Sequence, residues 1–147
     1  VRYLMGPVSI SSWYPKFYRS IMIYYLQNKH SVKSVEEDIV PRNPFFPDYL
    51  RVNIDDLMEN KMDSIEQFDR FMMRLSNNEY RLPTLVKKYL KINSKIIKFN
   101  VDPDFNYCVD GLVLLDLTQI SKQEIMNLSK DEPNKERVYK RFGIEAD

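Results

Sequence analysis

Two periods alternate along this chain. Tyr3–Ile10 (YLMGPVSI) is a short apolar run, and it predicts a strand ending in a bend, because Pro7 removes a ladder donor and Gly6 permits unusual dihedrals. Tyr14, Phe17, Tyr18, Ile21, Met22 and Tyr25 then recur at helical spacing and predict a helix over Tyr14–Asn28. Ser12 is expected to cap that helix, Pro15 suits its first turn, and Lys29 and His30 sit where cations favour a helix C-terminus.

Residues 31–62 carry no sustained period and contain Pro41, Pro44 and Pro47, so they read as an irregular excursion with a short helix near Ile54–Met58. Asp63 and Glu66 form a capping-box pattern ahead of a second amphipathic helix marked by Ile65, Phe68, Met72 and Leu75. Pro83 starts a third, with Leu82, Leu85, Val86, Tyr89 and Leu90 on one side. Lys95–Val101 and Tyr107–Leu117 read as strands. The connection Asp102-Pro-Asp-Phe-Asn106 supplies turn chemistry, which predicts an antiparallel hairpin. Val113, Leu114 and Leu115 are apolar without alternation, as in a strand covered on both faces. Ser121 and Glu124 form another capping box, with Ile120 and Ile125 as a staple, and a last helix is expected from near Pro133 to Gly143.

The predicted class is therefore α/β (α+β). Three strands are few for such a sheet, and the first is apolar enough to need partners supplied by other sequence. With Val1 rather than methionine at its start, residues 1–147 are expected to form a single partial domain. An unpaired apolar edge recruits another chain, so self-association through Tyr3–Ile10 is expected.

Composition narrows the function classes. Apolar residues make up 44% and charged residues 29%, a globular balance, and a net charge of +1 gives no field that would attract nucleic acid. Only three glycines occur, which leaves no material for a glycine-rich phosphate loop. One cysteine, Cys108, excludes an internal disulfide and suits a reducing, cytoplasmic compartment. With His30 the only histidine, a His/Cys zinc site is excluded. No apolar run reaches the ~18–20 residues of a membrane span.

Two segments resemble a known family. Arg2–Ser11 (RYLMGPVSIS) and Leu82–Leu117 (LPTLVKKYLKINSKIIKFNVDPDFNYCVDGLVLLDL) resemble, in order and spacing, bacterial proteins named haemolysins, whose relatives acylate amino acids such as ornithine in lipid synthesis. Together they cover roughly a third of the chain. The resemblance implies the C-terminal half of a GNAT-like mixed-sheet acyltransferase fold, with residues 31–62 as an insertion. In such a fold the sheet splays to admit a thioester's pantetheine arm. The turn that cradles the donor's pyrophosphate would precede these residues, so this chain is expected to bind no cofactor alone. The intact protein would use acyl-CoA or an acyl carrier protein thioester, and could sit peripherally at the inner membrane. Lys98 departs from the family pattern, where glycine is common, and puts close backbone packing there in doubt.

Each candidate residue has a functional and a structural reading. The resemblance suggests Tyr25, with Tyr24 beside it, as a general acid for the departing thiolate; alternatively Tyr25 completes the apolar stripe with its hydroxyl bonded locally. Ser9 and Ser11 flank the bend and could bind the acceptor's amide or the pantetheine arm, or satisfy a local turn. No histidine lies near them in sequence, so an activated serine nucleophile has little support. Asp110 interrupts an apolar strand, where a carboxylate must be paired, solvated or functional; an acceptor-amine site and a structural pair are both open. Asp102 and Asp104 flank a proline and suit backbone acceptance in a turn rather than a metal. Lys87, Lys88, Lys91, Lys95 and Lys98 could meet acyl carrier protein or anionic lipid, or form a solvated face. Phe45, Phe46 and Tyr49 read as a core plug or an acyl-chain and membrane contact. The leading expectation is an N-acyltransferase fragment, incomplete on its own. The rival is a non-enzymatic membrane-associated or protein-interaction module, as the haemolysin name implies, although neither a spanning helix nor barrel strands are visible.

Overall fold

A computed structural model describes residues 1–145. Strand β1 (Tyr3–Ile10) leads into helix α1 (Lys16–Lys29), followed by the short helices α2 (Lys33–Glu36) and α3 (Ile54–Met58). Helices α4 (Ile65–Leu75) and α5 (Thr84–Lys91) precede strands β2 (Lys95–Asp102) and β3 (Cys108–Asp116). A 3₁₀ turn, Leu117–Gln119, connects to α6 (Lys122–Ser129) and α7 (Lys135–Phe142). The fold of the described residues is mixed α/β, with one antiparallel sheet in the order β1-β3-β2. No described helix is long and apolar enough to cross a membrane.

Helix α1 starts two residues later than the tyrosine spacing suggests. Pro15 occupies the N-cap position, and Ser12 does not cap it. The chain turns instead at Ser11, whose hydroxyl accepts the Trp13 N–H at 3.1 Å and whose carbonyl accepts the Tyr14 N–H. Proline fixes the dihedral before the first turn, so no side-chain cap is required. The capping box ahead of α4 is likewise shifted by one residue. Ser64 accepts the Gln67 N–H at 3.0 Å, and Gln67 Oε1 in turn accepts the Asp63 N–H at 2.8 Å. The Ser64–Gln67 pair, not Asp63–Glu66, satisfies the orphan donors. Leu85 turns outward from α5 while Leu82, Val86 and Leu90 are buried.

The core lies on one face of the sheet. Val8 and Ile10 of β1, Phe99 of β2, and Val109 and Val113 of β3 pack with Ile21, Met22, Tyr25 and Leu26 of α1 and Phe68 and Met72 of α4. Strand alternation puts Tyr3, Met5, Pro7 and Ser9 on the opposite face, level with Asp116, Leu114, Leu112 and Asp110. That face is only partly covered, because Leu112 and Leu114 are half-buried. The expectation of a β3 covered equally on both faces is corrected accordingly.

Residues 31–62 are less irregular than their sequence suggests. They pass over the outer face of the sheet, where Val32, Val35, Ile39 and Pro41 face it across two depressions, and then seal the outer edge of β2. At that edge the Val101 N–H donates to the Asn43 carbonyl at 2.7 Å, and the Asn43 N–H donates to Asn100 Oδ1 at 2.8 Å. The Asp48 N–H then donates to the buried Ser20 hydroxyl of α1 at 2.8 Å, tying the excursion to the core helix. Phe45 packs against the core, Tyr49 is half-buried, and Phe46 is 70% exposed, so the expected aromatic plug divides. Lys98 falls within the register shift between Ile96 and Phe99 and is half-buried, so the bulge accommodates a long side chain where close packing was in doubt.

Candidate functional site

The partly open sheet face carries a polar cluster, Ser9, Asp110 and Cys108, beside apolar surface. β1 and β3 run antiparallel with Ser9 opposite Asp110, and the Ser9 hydroxyl donates to Asp110 Oδ1 at 2.5 Å. Cys108, two residues back on the same face, donates its S–H to the same oxygen at 3.4 Å. Burial first, and this carboxylate second, push the Cys108 thiol pKa up, so it is a neutral donor here and not a thiolate. The described ion pairs are Arg2–Asp116 and Lys87–Asp69, so Asp110 has no cationic partner among them. A half-buried carboxylate held by two neutral donors has spare acceptor capacity and unmatched charge.

Two depressions lead away from this pair along the same face. The nearer, of about 200 Å³, is lined by Pro7, Ile39, Pro41, Leu112 and Asp110, with Lys98 of β2 also on its wall. The farther, of about 720 Å³, lies between Tyr3, Met5 and Leu114 of the sheet and Val32 and Val35 of the excursion. The strand positions from Tyr3 to Ser9 place both along one line of roughly 20 Å, at about 3.3 Å per residue. The far rim is polar, formed by Asn93, Lys95, Gln119 and the Asp116 carboxylate. Arg2 donates to Asp116 at 2.9 Å, and that bond, with Thr118, holds Asp116 down at about 2.

Tyr25 stands elsewhere. It is 1% exposed on the core side of the sheet, stacks on Phe68 with ring centroids 4.0 Å apart, and its hydroxyl lies 2.9 Å from His30 Nε2. Burial pushes its phenol up to about 12, helped by the charge of Glu66. Burial also pulls His30 down to about 4, with Lys95 and Lys29 adding to the effect. The imidazole is therefore neutral near pH 7, and its Nε2 shares a hydrogen bond with the Tyr25 hydroxyl, which fits the local-bonding reading of Tyr25. Tyr24 points away from Tyr25 and donates to Asp55 Oδ1, a bond that raises its phenol to about 12.

The structure thus gathers Ser9 and Asp110, two candidates that stand far apart in the sequence. It leaves Ser11 in a turn and puts Tyr24 and Tyr25 across the sheet from the pair. Cys108 and the trough-lining Val32 and Val35 were not nominated. Cys108 shares strand parity with Asp110, which was a usable signal, whereas Val32 and Val35 offered only a single i, i+3 repeat. Asp102 closes the β2–β3 turn by accepting the Asp104 and Phe105 N–H groups at 2.9 and 3.2 Å. Comparison with protein-family models, curated proteins and solved structures finds no match for this chain.

Proposed function

We propose that this chain is part of a GNAT-like N-acyltransferase, in which the open sheet face seats the acyl chain and Asp110 receives the acceptor amine. One observation carries the reading: two apolar depressions lie in line on one face of β1 and β3, and the nearer is lined by Asp110, a carboxylate in no ion pair among the described residues. An aliphatic chain gains about 0.8 kcal/mol for each methylene it buries, which suits a lined trough of this length. A protonated amine gains from the unmatched charge of Asp110, while Ser9 fixes one carboxylate oxygen and leaves the other for the ligand. The resemblance of Arg2–Ser11 and Leu82–Leu117 to the bacterial proteins named haemolysins, whose relatives acylate amino acids, supports the same assignment.

The reaction is aminolysis of a thioester. The amine loses one proton to bulk base through the Asp110 carboxylate, its nitrogen forms the new C–N bond, the C–S bond breaks, and the thiolate takes up a proton. Asp110 acts mainly by holding the nitrogen against the carbonyl carbon, since positioning alone lowers such barriers by several kcal/mol. Donor phosphates need a backbone N–H cradle, which on this reading comes from residues outside this chain.

The test joins this chain to a donor-binding half and measures thiol release from an acyl carrier protein thioester with ornithine as acceptor. Asp110→Asn is expected to lower kcat/KM for the amine by about tenfold or more, the worth of one charge-assisted contact, with donor hydrolysis unchanged. Unaltered transfer in both Asp110→Asn and Ser9→Ala would remove the site from the reaction.

A further inference from the structure

The two edges of the sheet are treated differently. The edge of β2 is covered by its own chain, since the Ile96 N–H donates to the His30 carbonyl and the Val101 N–H to the Asn43 carbonyl, each at 2.7 Å. Among the described residues, no strand pairs with the outer edge of β1. Its bonding pattern follows from one contact. The Leu117 N–H donates to the Arg2 carbonyl at 2.9 Å, and these residues lie one step beyond the Tyr3–Asp116 pair of the same register. Arg2, Leu4, Gly6, Val8 and Ile10 therefore bond toward β3, and Tyr3, Met5, Pro7 and Ser9 present their backbone groups outward. Pro7 falls on the outward side, where its missing N–H costs the β1–β3 ladder nothing.

We propose that the β1 edge pairs antiparallel with β1 of a second copy of this chain, with the two-fold axis at Leu4. The outward groups favour this register. Tyr3 opposite Met5 of the second copy, and Met5 opposite its Tyr3, form two complete reciprocal pairs with four N–H···O bonds. Moving the axis to Met5 sets Tyr3 against Pro7 and orphans one carbonyl in each copy. The side chains suit the contact. Tyr3, Leu4 and Met5 are 49%, 50% and 69% exposed in the single chain, and the pairing sets each Tyr3 beside a Met5 on the trough face. A two-fold operator makes such a contact closed and self-complementary. The result is one six-stranded sheet with both troughs on the same side. The pairing uses neither Asp110 nor the depressions, but a donor-binding half seated on β1, as in the acyl-transfer reading, would compete with the second copy for this edge.

Light scattering after size exclusion, over a concentration series of the 147-residue chain, is expected to show a monomer–dimer equilibrium. Met5→Pro removes only an outward donor, so the β1–β3 ladder survives, and the dimer dissociation constant is expected to rise by about tenfold or more. Leu4→Cys sets two sulfurs across the axis at a non-hydrogen-bonded pair, with Cα atoms about 4.5 Å apart, inside disulfide range. It is expected to oxidise to a covalent dimer, whereas Met5→Cys, which does not face itself, stays largely reduced. A chain that stays monomeric at every concentration, or a Leu4→Cys protein that cross-links no faster than Met5→Cys, overturns the proposal. The second result stands even if Met5→Pro does not fold.

Discussion

Gly111 is where the sheet has least room, and adding one methyl there tests the strand packing directly. The residue sits mid-β3, opposite Val8 on one side and Phe99 on the other. A Cβ at this position would lie 2.6 Å from Ile96 Cγ2 and 3.2 Å from Phe99 Cε1. Carbon atoms in contact prefer about 3.5–4.0 Å, so Ile96 would have to retreat by roughly an ångström. It has nowhere to go, being 0% exposed, and Phe99 beside it is 4% exposed. Overpacking of this kind costs about 1–3 kcal/mol, which for a chain of this size lowers the melting temperature by roughly 3–10 °C. Urea unfolding of Gly111→Ala followed by circular dichroism measures the loss. Leucine lacks the offending Cγ2 branch, so adding Ile96→Leu should recover about 1 kcal/mol relative to the sum of the two single costs. A Gly111→Ala protein as stable as its parent, or costs that simply add, would refute the claim that this contact excludes a side chain.

Three further outcomes are expected from the described contacts. His30 titrates near 4 when folded against 6.5 ordinarily, so between those values the unfolded chain binds the extra proton. Stability should fall as pH drops through that window, and His30→Gln should flatten that part of a urea-midpoint profile. Asp116, held at about 2 against 3.8, acts lower still: its contribution is present above 3.8 and is lost as pH falls toward 2, and Arg2→Ala should shrink this acid step in the same profile, leaving the part that Thr118 supplies. Asp69 accepts the Leu82 N–H at 2.8 Å and pairs with Lys87 at 2.9 Å, so Asp69→Ala should cost about 2–3 kcal/mol in chemical denaturation, more than Lys87→Ala.

Much of the secondary structure is legible because local chemistry and burial agree. The β2–β3 turn shows this: Asp102 caps its own turn, and Asn106 and Tyr107 adopt positive φ of 51° and 55° to reverse the chain. Gly143 ends α7 in the left-handed conformation, as its place after the last apolar position suggests. Where two patterns compete, sequence alone does not choose. Asp63–Glu66 and Ser64–Gln67 have the same spacing, and the second wins because Gln67 also donates to the Asn60 carbonyl at 2.8 Å. Residues 31–62 hide their order for a different reason. Their bonds go to Ser20, Asn100 and Val101, partners with no fixed sequence offset, so no local period records them.

The same distinction explains which site residues were readable. Strand parity is a local property: burial of Val8 and Ile10 against α1 leaves Ser9 on the other face, and burial of Val109 and Gly111 does the same for Asp110. Only the register between β1 and β3 was needed to bring the two together. Tyr25 had no such constraint. Helical spacing put it on the apolar stripe, yet the stripe does not say which face of the sheet it will meet. Since α1 packs against Val8, Ile10 and Phe99, the sheet itself separates Tyr25 from Ser9 and Asp110. A single reaction site cannot use all three, and the exposed face keeps the carboxylate while the core keeps the phenol.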